Sequence, residues 1–468
     1  MREFTSMTAA DIAAAVKTGT MKARAVVEAS LARTQALNPA LGAFTAITAD
    51  RALSKADSVD ADIAAGRDPG PLCGVPFAVK NLFDVKGVST LAGSKINRDL
   101  PPAKQDATLI SRMEAAGAVL TGALNMGEYA YDFTGQNAHD GPSRNPHDPN
   151  HMSGGSSGGS GTATASGMVP ITLGSDTNGS IRVPSSLCGL FGLKPTYGRL
   201  PRAHTFPFVD SLDHLGPIAR SSADLALSYD AMQGPDPRDA ACADRPVEPA
   251  AGELRKGIGG LRIATAGGYF AKGGLPEAFE AVQRIAAALN AVKTVEIPDA
   301  QAARGAAYII TMAEGASLHL DRLKTRHADY DPDVRDRLFA GAMIPGGWVT
   351  KAQKLRRIYR ENVLKLFEDV DVILAPATPC RAPRIGQQTM VLDGVEMPVR
   401  PNLGLFTQPI SFIGLPVVSV PVWTEGEKLP IGVQLIAAPW REDLVLRVAH
   451  HLEKAGAVRA PVAEIGGN

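Results

Sequence analysis

Short apolar runs at residues 75–79, 119–121, 169–173, 261–266, 370–375, 417–422 and 431–436 recur through most of this chain. Each is the length of a buried strand and far below the ~18 apolar residues of a membrane span. Between and after them, residues 107–116, 157–166, 275–289, 352–368 and 441–455 carry helical periodicity. Strands alternating with helices predict an α/β fold. Residues 8–65 are alanine-rich, with breaks near Gly19 and Pro39, and predict two or three amphipathic helices wrapped on the sheet.

A length of 468 residues would by itself suggest about three domains at ~150 residues each. The segment PDPRDAACADRPVEP at 235–249 is the best linker candidate, yet strand-like runs resume beyond it, so it reads as a surface loop. The expected organisation is therefore one domain: helices at 1–70 packing on a core at 71–235, a surface loop at 236–250, and the rest of the same domain at 251–468.

Lys plus Arg and Asp plus Glu are equal at 48 each, so no overall field favours nucleic acid or an anionic membrane as a partner. Cys73, Cys188, Cys242 and Cys380 are far apart and form no CxxC pair, which argues against a zinc ribbon, a redox dithiol or a disulfide scaffold. A reducing cytoplasm is the simplest compartment. The N-terminal stretch has an early acidic residue and no apolar core, so no secretory signal is expected there. No HExxH or similar spacing suggests a metal, and no cofactor is expected.

Two glycine-lined segments carry serines: GGSSGGSG at 154–161 and GSDTNGSIRVP at 174–184. The first has the composition of a flexible linker, but it runs into a small-residue helix and then an apolar strand, which places it inside a core. A phosphate cradle fits poorly, because Ser160 and Gly161 stand where a Walker lysine would follow the last glycine, and no GxGxxG register fits. GxSxG also matches, but a nucleophile elbow follows a strand, and RNPHDPNHM precedes this loop.

The second segment follows the 169–173 run, so its serine would stand at a strand-to-helix turn beside successive main-chain amides. The amides of Thr177, Asn178, Gly179 and Ser180 are candidate oxyanion donors, and Gly or Asn suits a turn that needs left-handed backbone. A serine nucleophile needs a base. No histidine stands in an evident triad pattern, although His139 lies near the serine loop. Lys80, at the end of the 75–79 run, is the candidate base, since burial at a strand end would favour its neutral amine. Asp176 and Arg182 flank the turn and read as a charged pair that locks it.

Lys80 after GVPFAVK, Ser156 in GGSSGGS and Ser180 in GSDTNGSIR together resemble the amidase signature family, as do RNPHDP (144–149), GLKPTYGRL (192–200), SLDHLGP (211–217), GLPVVSVPV (414–422) and IGVQLI (431–436). The resemblance covers nearly the whole chain. It implies a single α/β/α domain with a large mixed twisted sheet covered by helices on both faces. It also implies a Lys80–Ser156–Ser180 triad in which Ser156 follows a cis peptide and relays protons, Ser180 forms an acyl-enzyme, and ammonia leaves. By the same resemblance Tyr131, Asp132, Gly155 and Ser157 belong to the substrate pocket.

One departure is Asn178, where most members have glycine. With MGEYAYDFTGQNAHDGPSRNPHDP (126–149) and FPFVDSLDHLGP (206–217), it is similar to the branch that hydrolyses 1-carboxybiuret in cyanuric acid and s-triazine breakdown. That branch implies a small helical accessory subunit resembling the third subunit of the tRNA-dependent amidotransferase, and a homodimer or heterotetramer. A carboxylated substrate would need an arginine or main-chain amides, and the sequence does not choose among the arginines of 261–400. The alternative within the family is the glutaminase subunit of that amidotransferase, whose usual DTGGSIRQP differs here at Asn178 and Val183. A non-catalytic scaffold is disfavoured by the intact Lys80, Ser156 and Ser180.

Overall fold

The computed structural model describes residues 4–465. Its strands are β1 (Phe44–Ile47), β2 (Pro76–Lys80), β3 (Val119–Leu124), β4 (Ile171–Asp176), β5 (Phe191–Lys194), β6 (His214–Ala219), β7 (Ile263–Ala266), β8 (Lys293–Val295), β9 (Val372–Pro376), β10 (Thr389–Leu392), β11 (Val395–Pro398), β12 (Val417–Val422) and β13 (Ile431–Ala437). Eleven of them form one sheet in the order β1-β3-β2-β4-β6-β5-β12-β13-β9-β7-β8, and β10 with β11 makes a separate hairpin. The sheet is mixed: β3, β2 and β4 run parallel, as do β9, β7 and β8, while the strands from β4 through β6, β5, β12 and β13 to β9 pair antiparallel.

Every residue of β2, β3, β4, β6, β9, β12 and β13 is buried. A strand alternates its side chains between faces, so full burial means that both faces of the sheet are covered. This is why the sequence shows continuous apolar runs rather than alternation. The chain from 233 to 250 holds no helix or strand.

Three N-terminal helices form as the periodicity predicts, Ala9–Lys17, Ala23–Leu41 and Ala49–Ala64, but Pro39 does not break the second. Proline removes the bond its N–H would make to the carbonyl four residues back. That carbonyl belongs to the exposed Gln35, where solvent can satisfy it, and the helix ends at Gly42 in left-handed conformation. Neighbours cap two of these helices: Asp60 accepts from the amides of Ala23 and Arg24, and Asp224 from those of Ala9 and Ala10.

The periodicity misses the longest helix, Ala300–Arg326, and the Pro332–Ala342 helix after it. The buried stripe of the first includes Ala303, Ala306, Ala307, Thr311, Gly315 and Ala316, small or polar residues with little apolar contrast. Small residues there let the two helices close on each other: a Cβ at Gly341 would lie 2.1 Å from the Met312 carbonyl oxygen.

Candidate active site

Because β2 and β4 are parallel neighbours, their C-terminal ends, carrying Lys80 and Ser175, come together. This is the edge at which parallel α/β sheets place ligands. Lys80 Nζ is 2.6 Å from Ser156 Oγ and 2.9 Å from Ser175 Oγ, and all three side chains are buried. Burial pulls the Lys80 amine down to about 7, against the opposing pull of Asp213, Asp176 and Asp132. Ser175 is a partner of Lys80 that sequence reasoning missed, although it lies inside the GSDTNGS motif.

Ser156 follows a cis Gly155–Ser156 peptide. The loop is held against residues 132–135: the Gly155 amide donates to the Phe133 carbonyl at 2.8 Å, and a Cβ at Gly155 would meet Asp132 Oδ2 at 2.4 Å. Only glycine fits that approach. Ser157 Oγ lies 3.2 Å from the Ser175 carbonyl and 3.3 Å from its amide, so it clamps the end of β4.

After β4 the chain turns through 177–181 into the Arg182–Cys188 helix. The turn is fixed by the buried pair Asp176 and Arg182, bonded at 2.9 Å through both Nε and Nη2. Burial would push the Asp176 carboxyl up, but the Arg182 charge and hydrogen bonds hold it well below the usual carboxylate range. Arg182 also reaches Gln434 Oε1 at 2.6 Å and the Thr407 carbonyl at 3.2 Å, which ties the turn to distant parts of the chain.

Gly179 has φ +145°, and a Cβ there would lie 2.2 Å from Thr407 Oγ1. Asn178, by contrast, is not among the residues with positive φ, so the turn does not need it for its backbone, contrary to the sequence expectation. Among the described residues, the main-chain amides of Thr177, Asn178, Gly179 and Ser180 have no hydrogen-bond partner. Unused amides on a buried turn form a ready cradle for an anion.

Ser180 stands on the wall of a narrow cavity with Tyr131, Asp132, Thr177, Asn178, Tyr308, Thr311, Arg337 and Gln408. The cavity is only about 20 Å³, so an occupant must be small and the wall must yield as it binds. Gly155 and Ser157, expected in the substrate pocket, are not among the residues lining it. The Asp132 carboxylate lines it but is already engaged by Thr134, the Gly135 amide and Arg400.

Tyr308, Thr311 and Arg337 come from the two helices the periodicity missed, and nothing in their local sequence marks them. Among the described residues Arg337 forms no ion pair: it donates to the main-chain carbonyls of Asp333 and Tyr131, and its guanidinium lies 3.8 Å from the centroid of the Tyr131 ring.

A second cavity of about 210 Å³ includes Ser175, Arg202, His204 and Asp213 in its wall and shares Ala130 and Phe208 with the first. It borders Ser175, the second hydrogen-bond partner of Lys80. His139 pairs with Glu128 at 3.1 Å and lines neither cavity. His214 is buried, with Nδ1 near the carbonyls of Asp176 and Leu212. The four cysteines are unpaired. Among the described residues there is no cluster of three His, Cys, Asp or Glu side chains fit to hold a metal, and no helix is long and apolar enough to cross a membrane.

Residues 25–446 match the profile of the Amidase family. The chain is 52% identical to AtzE of Pseudomonas sp. (strain ADP), which forms part of 1-carboxybiuret hydrolase, over 97% of this chain and 99% of that one. It is 39% identical to a glutamyl-tRNA(Gln) amidotransferase subunit of Azotobacter vinelandii, over 92% and 93%. Among solved structures, it is similar to an s-triazine catabolic enzyme described as a vestigial protein complex, with a TM-score of 0.96 at 52% identity, covering 97% of this chain and 100% of that one. A bacterial aryl acylamidase of the amidase signature family aligns with a TM-score of 0.89 at 26% identity, covering 96% of each chain. This chain belongs to the amidase signature family and is a hydrolase acting on amides.

Proposed function

We propose that this enzyme hydrolyses a small carboxylated ureide, of which 1-carboxybiuret is the best fit, through a Lys80–Ser156–Ser180 triad. The observation that carries the reading is the placement of an Arg337 guanidinium without an ion pair on the same cavity wall as Ser180. A guanidinium facing a small site is a receptor for a planar carboxylate. The 52% identity to AtzE, itself part of 1-carboxybiuret hydrolase, supports the choice of substrate.

In this mechanism the neutral Lys80 amine takes a proton from Ser156 Oγ as Ser156 takes one from Ser180 Oγ. Ser180 Oγ attacks the terminal amide carbon, and the oxygen that gains charge is held by the free amides of residues 177–180. The carbon–nitrogen bond breaks as Ser156 hands a proton to the leaving nitrogen, and ammonia departs. Water, activated by the same relay, then attacks the acyl-Ser180 ester and regenerates the enzyme. Asp176 and Arg182 hold the turn and take no proton.

A small helical accessory subunit is part of the proposal. The neighbouring s-triazine enzyme is described as a protein complex, and glutamyl-tRNA(Gln) amidotransferase chains, themselves named as parts of a larger enzyme, align along most of this chain. The test is ammonia release from 1-carboxybiuret, biuret, allophanate, malonamide, aryl and fatty amides, and glutamine, with and without the product of any small neighbouring reading frame. The highest kcat/KM should fall on the carboxylated ureide. A preference for glutamine, with copurification of a large tRNA-binding subunit, would replace this reading with the glutaminase one.

A further inference from the structure

Two residues on the wall of the Ser180 cavity carry a buried polar atom with no partner among the described residues, the Tyr131 hydroxyl and Asn178 Oδ1. Each residue is 6% exposed. Buried polar atoms are nearly always paired, so two orphans facing one reactive cavity mark contacts left for a ligand.

The neighbouring polar groups are already used. Thr177 Oγ1 donates to Asp213 at 2.6 Å, Tyr308 donates to the Pro401 carbonyl at 2.8 Å, and Gln408 Oε1 accepts from Arg304 at 2.8 Å. The Asn178 amide is held in place: Nδ2 donates to Thr311 Oγ1 at 2.9 Å, and its main-chain carbonyl accepts from Thr407 Oγ1 at 2.7 Å. With Nδ2 committed to Thr311, Oδ1 is left to the cavity.

Tyr131 is equally fixed, by the Arg337 guanidinium 3.8 Å from its ring centroid and the Phe208 ring 4.9 Å away. Burial pushes its phenol up to about 12, so at neutral pH it remains a hydrogen donor.

We infer that Asn178 and Tyr131 form a pair that reads ureides: Asn178 Oδ1 accepts from the N–H between two carbonyls of the substrate, and the Tyr131 hydroxyl donates to one of those carbonyls. The inference deepens the proposed function and rests on its assignment of the substrate to this cavity. It also gives Asn178 a purpose, since the backbone of the turn does not require it. A carbon-chain amide has CH₂ where a ureide has N–H, and would leave Oδ1 buried and unpaired. Sites built to bond a polar group discriminate strongly against analogues that lack it.

Biuret and malonamide test this directly, because they have the same length and differ only in the central N–H or CH₂. The readout is the kcat/KM ratio of biuret to malonamide, which removes effects common to both. Asn178→Ala should lower the ratio at least about 10-fold, and Asn178→Asp, which keeps an acceptor, should retain most of it. Tyr131→Phe should lower kcat/KM for both compounds and leave the ratio unchanged. Thermal melts establish that each variant is folded, and a misfolded Asn178→Ala leaves Asn178→Gly to make the same comparison. An unchanged ratio in a folded Asn178→Ala or Asn178→Gly overturns the inference. If the wild type cleaves neither compound yet cleaves an aryl amide, the substrate reading beneath it falls, and the inference falls with it.

Discussion

On the sheet side of the active site Lys80 is bonded to both Ser156 and Ser175, whereas on the cavity side Asn178 and Tyr131 keep polar atoms that no described residue bonds, and Arg337 forms no ion pair among the described residues. The sheet side closes its hydrogen bonds on itself, and burial brings its one amine down to about 7. The cavity side leaves two buried polar atoms unpaired among the described residues. A buried polar network that closes on itself fixes a chemistry, and one left open selects a ligand. Substitutions on the first side should therefore remove turnover of every substrate alike, while loss of Asn178 or Arg337 on the second should sort substrates from one another.

The largest effect expected is on the sheet side. Ser180→Ala should lower kcat by at least about 10⁴-fold, and Lys80→Met or Ser156→Ala by at least about 10³-fold, for carboxylated and simple amides equally, with the fold intact by circular dichroism. A substrate-dependent loss in these variants would erase the contrast between the two sides.

Arg182→Met tests the scaffold beneath the chemistry. It leaves the Asp176 carboxylate buried without its partner and should destabilise the protein by about 3–5 kcal/mol in urea denaturation. Arg337→Met should raise KM for the carboxylated ureide by about 10- to 100-fold, the scale of one charge-assisted pair, and raise it less for biuret, which loses only the support that Arg337 gives Tyr131. Equal losses on both substrates would mean that Arg337 supports Tyr131 rather than holding a carboxylate.

The smallest effect concerns pH. Only the neutral amine of Lys80 accepts a proton, so kcat/KM should rise with pH as one proton leaves near 7 and level off above it. Ser175→Ala removes an acceptor that favours the charged amine, so the acid limb should move to lower pH, by less than about one unit.

The core of the sheet was readable in the sequence because local rules govern it, and the Lys80, Ser156 and Ser180 segments were singled out as candidates by their motifs and family resemblance. Continuous apolar runs mark strands covered on both faces, and glycine is forced at Gly155 and Gly179 by close approach of other atoms. The cavity wall was readable only in part: Tyr131, Asp132, Thr177, Asn178 and Ser180 were named from the sequence, and the rest of the wall was not. Tyr308, Thr311 and Arg337 lie far along the chain, on helices whose buried faces are too alanine-rich to stand out, and only tertiary packing brings them opposite Ser180. Gly155 and Ser157 were expected at the substrate by family resemblance, but neither lines the Ser180 cavity: Gly155 lies against Asp132, and Ser157 Oγ lies against the main chain of Ser175. Asn178 was noticed as a departure from glycine, yet its use emerges only with the unpaired Oδ1 and the ordinary backbone at that position.

The central claim, that Ser180 is the nucleophile activated through Ser156 and Lys80, is tested most directly by mapping the adduct of a serine-directed fluorophosphonate by peptide mass spectrometry. The account predicts a single adduct on the peptide carrying Ser180, absent in Ser180→Ala and formed at least about 10³-fold more slowly in Lys80→Met. An adduct on Ser156 with Ser180 unmodified, or labelling of Lys80→Met at the wild-type rate, would contradict it.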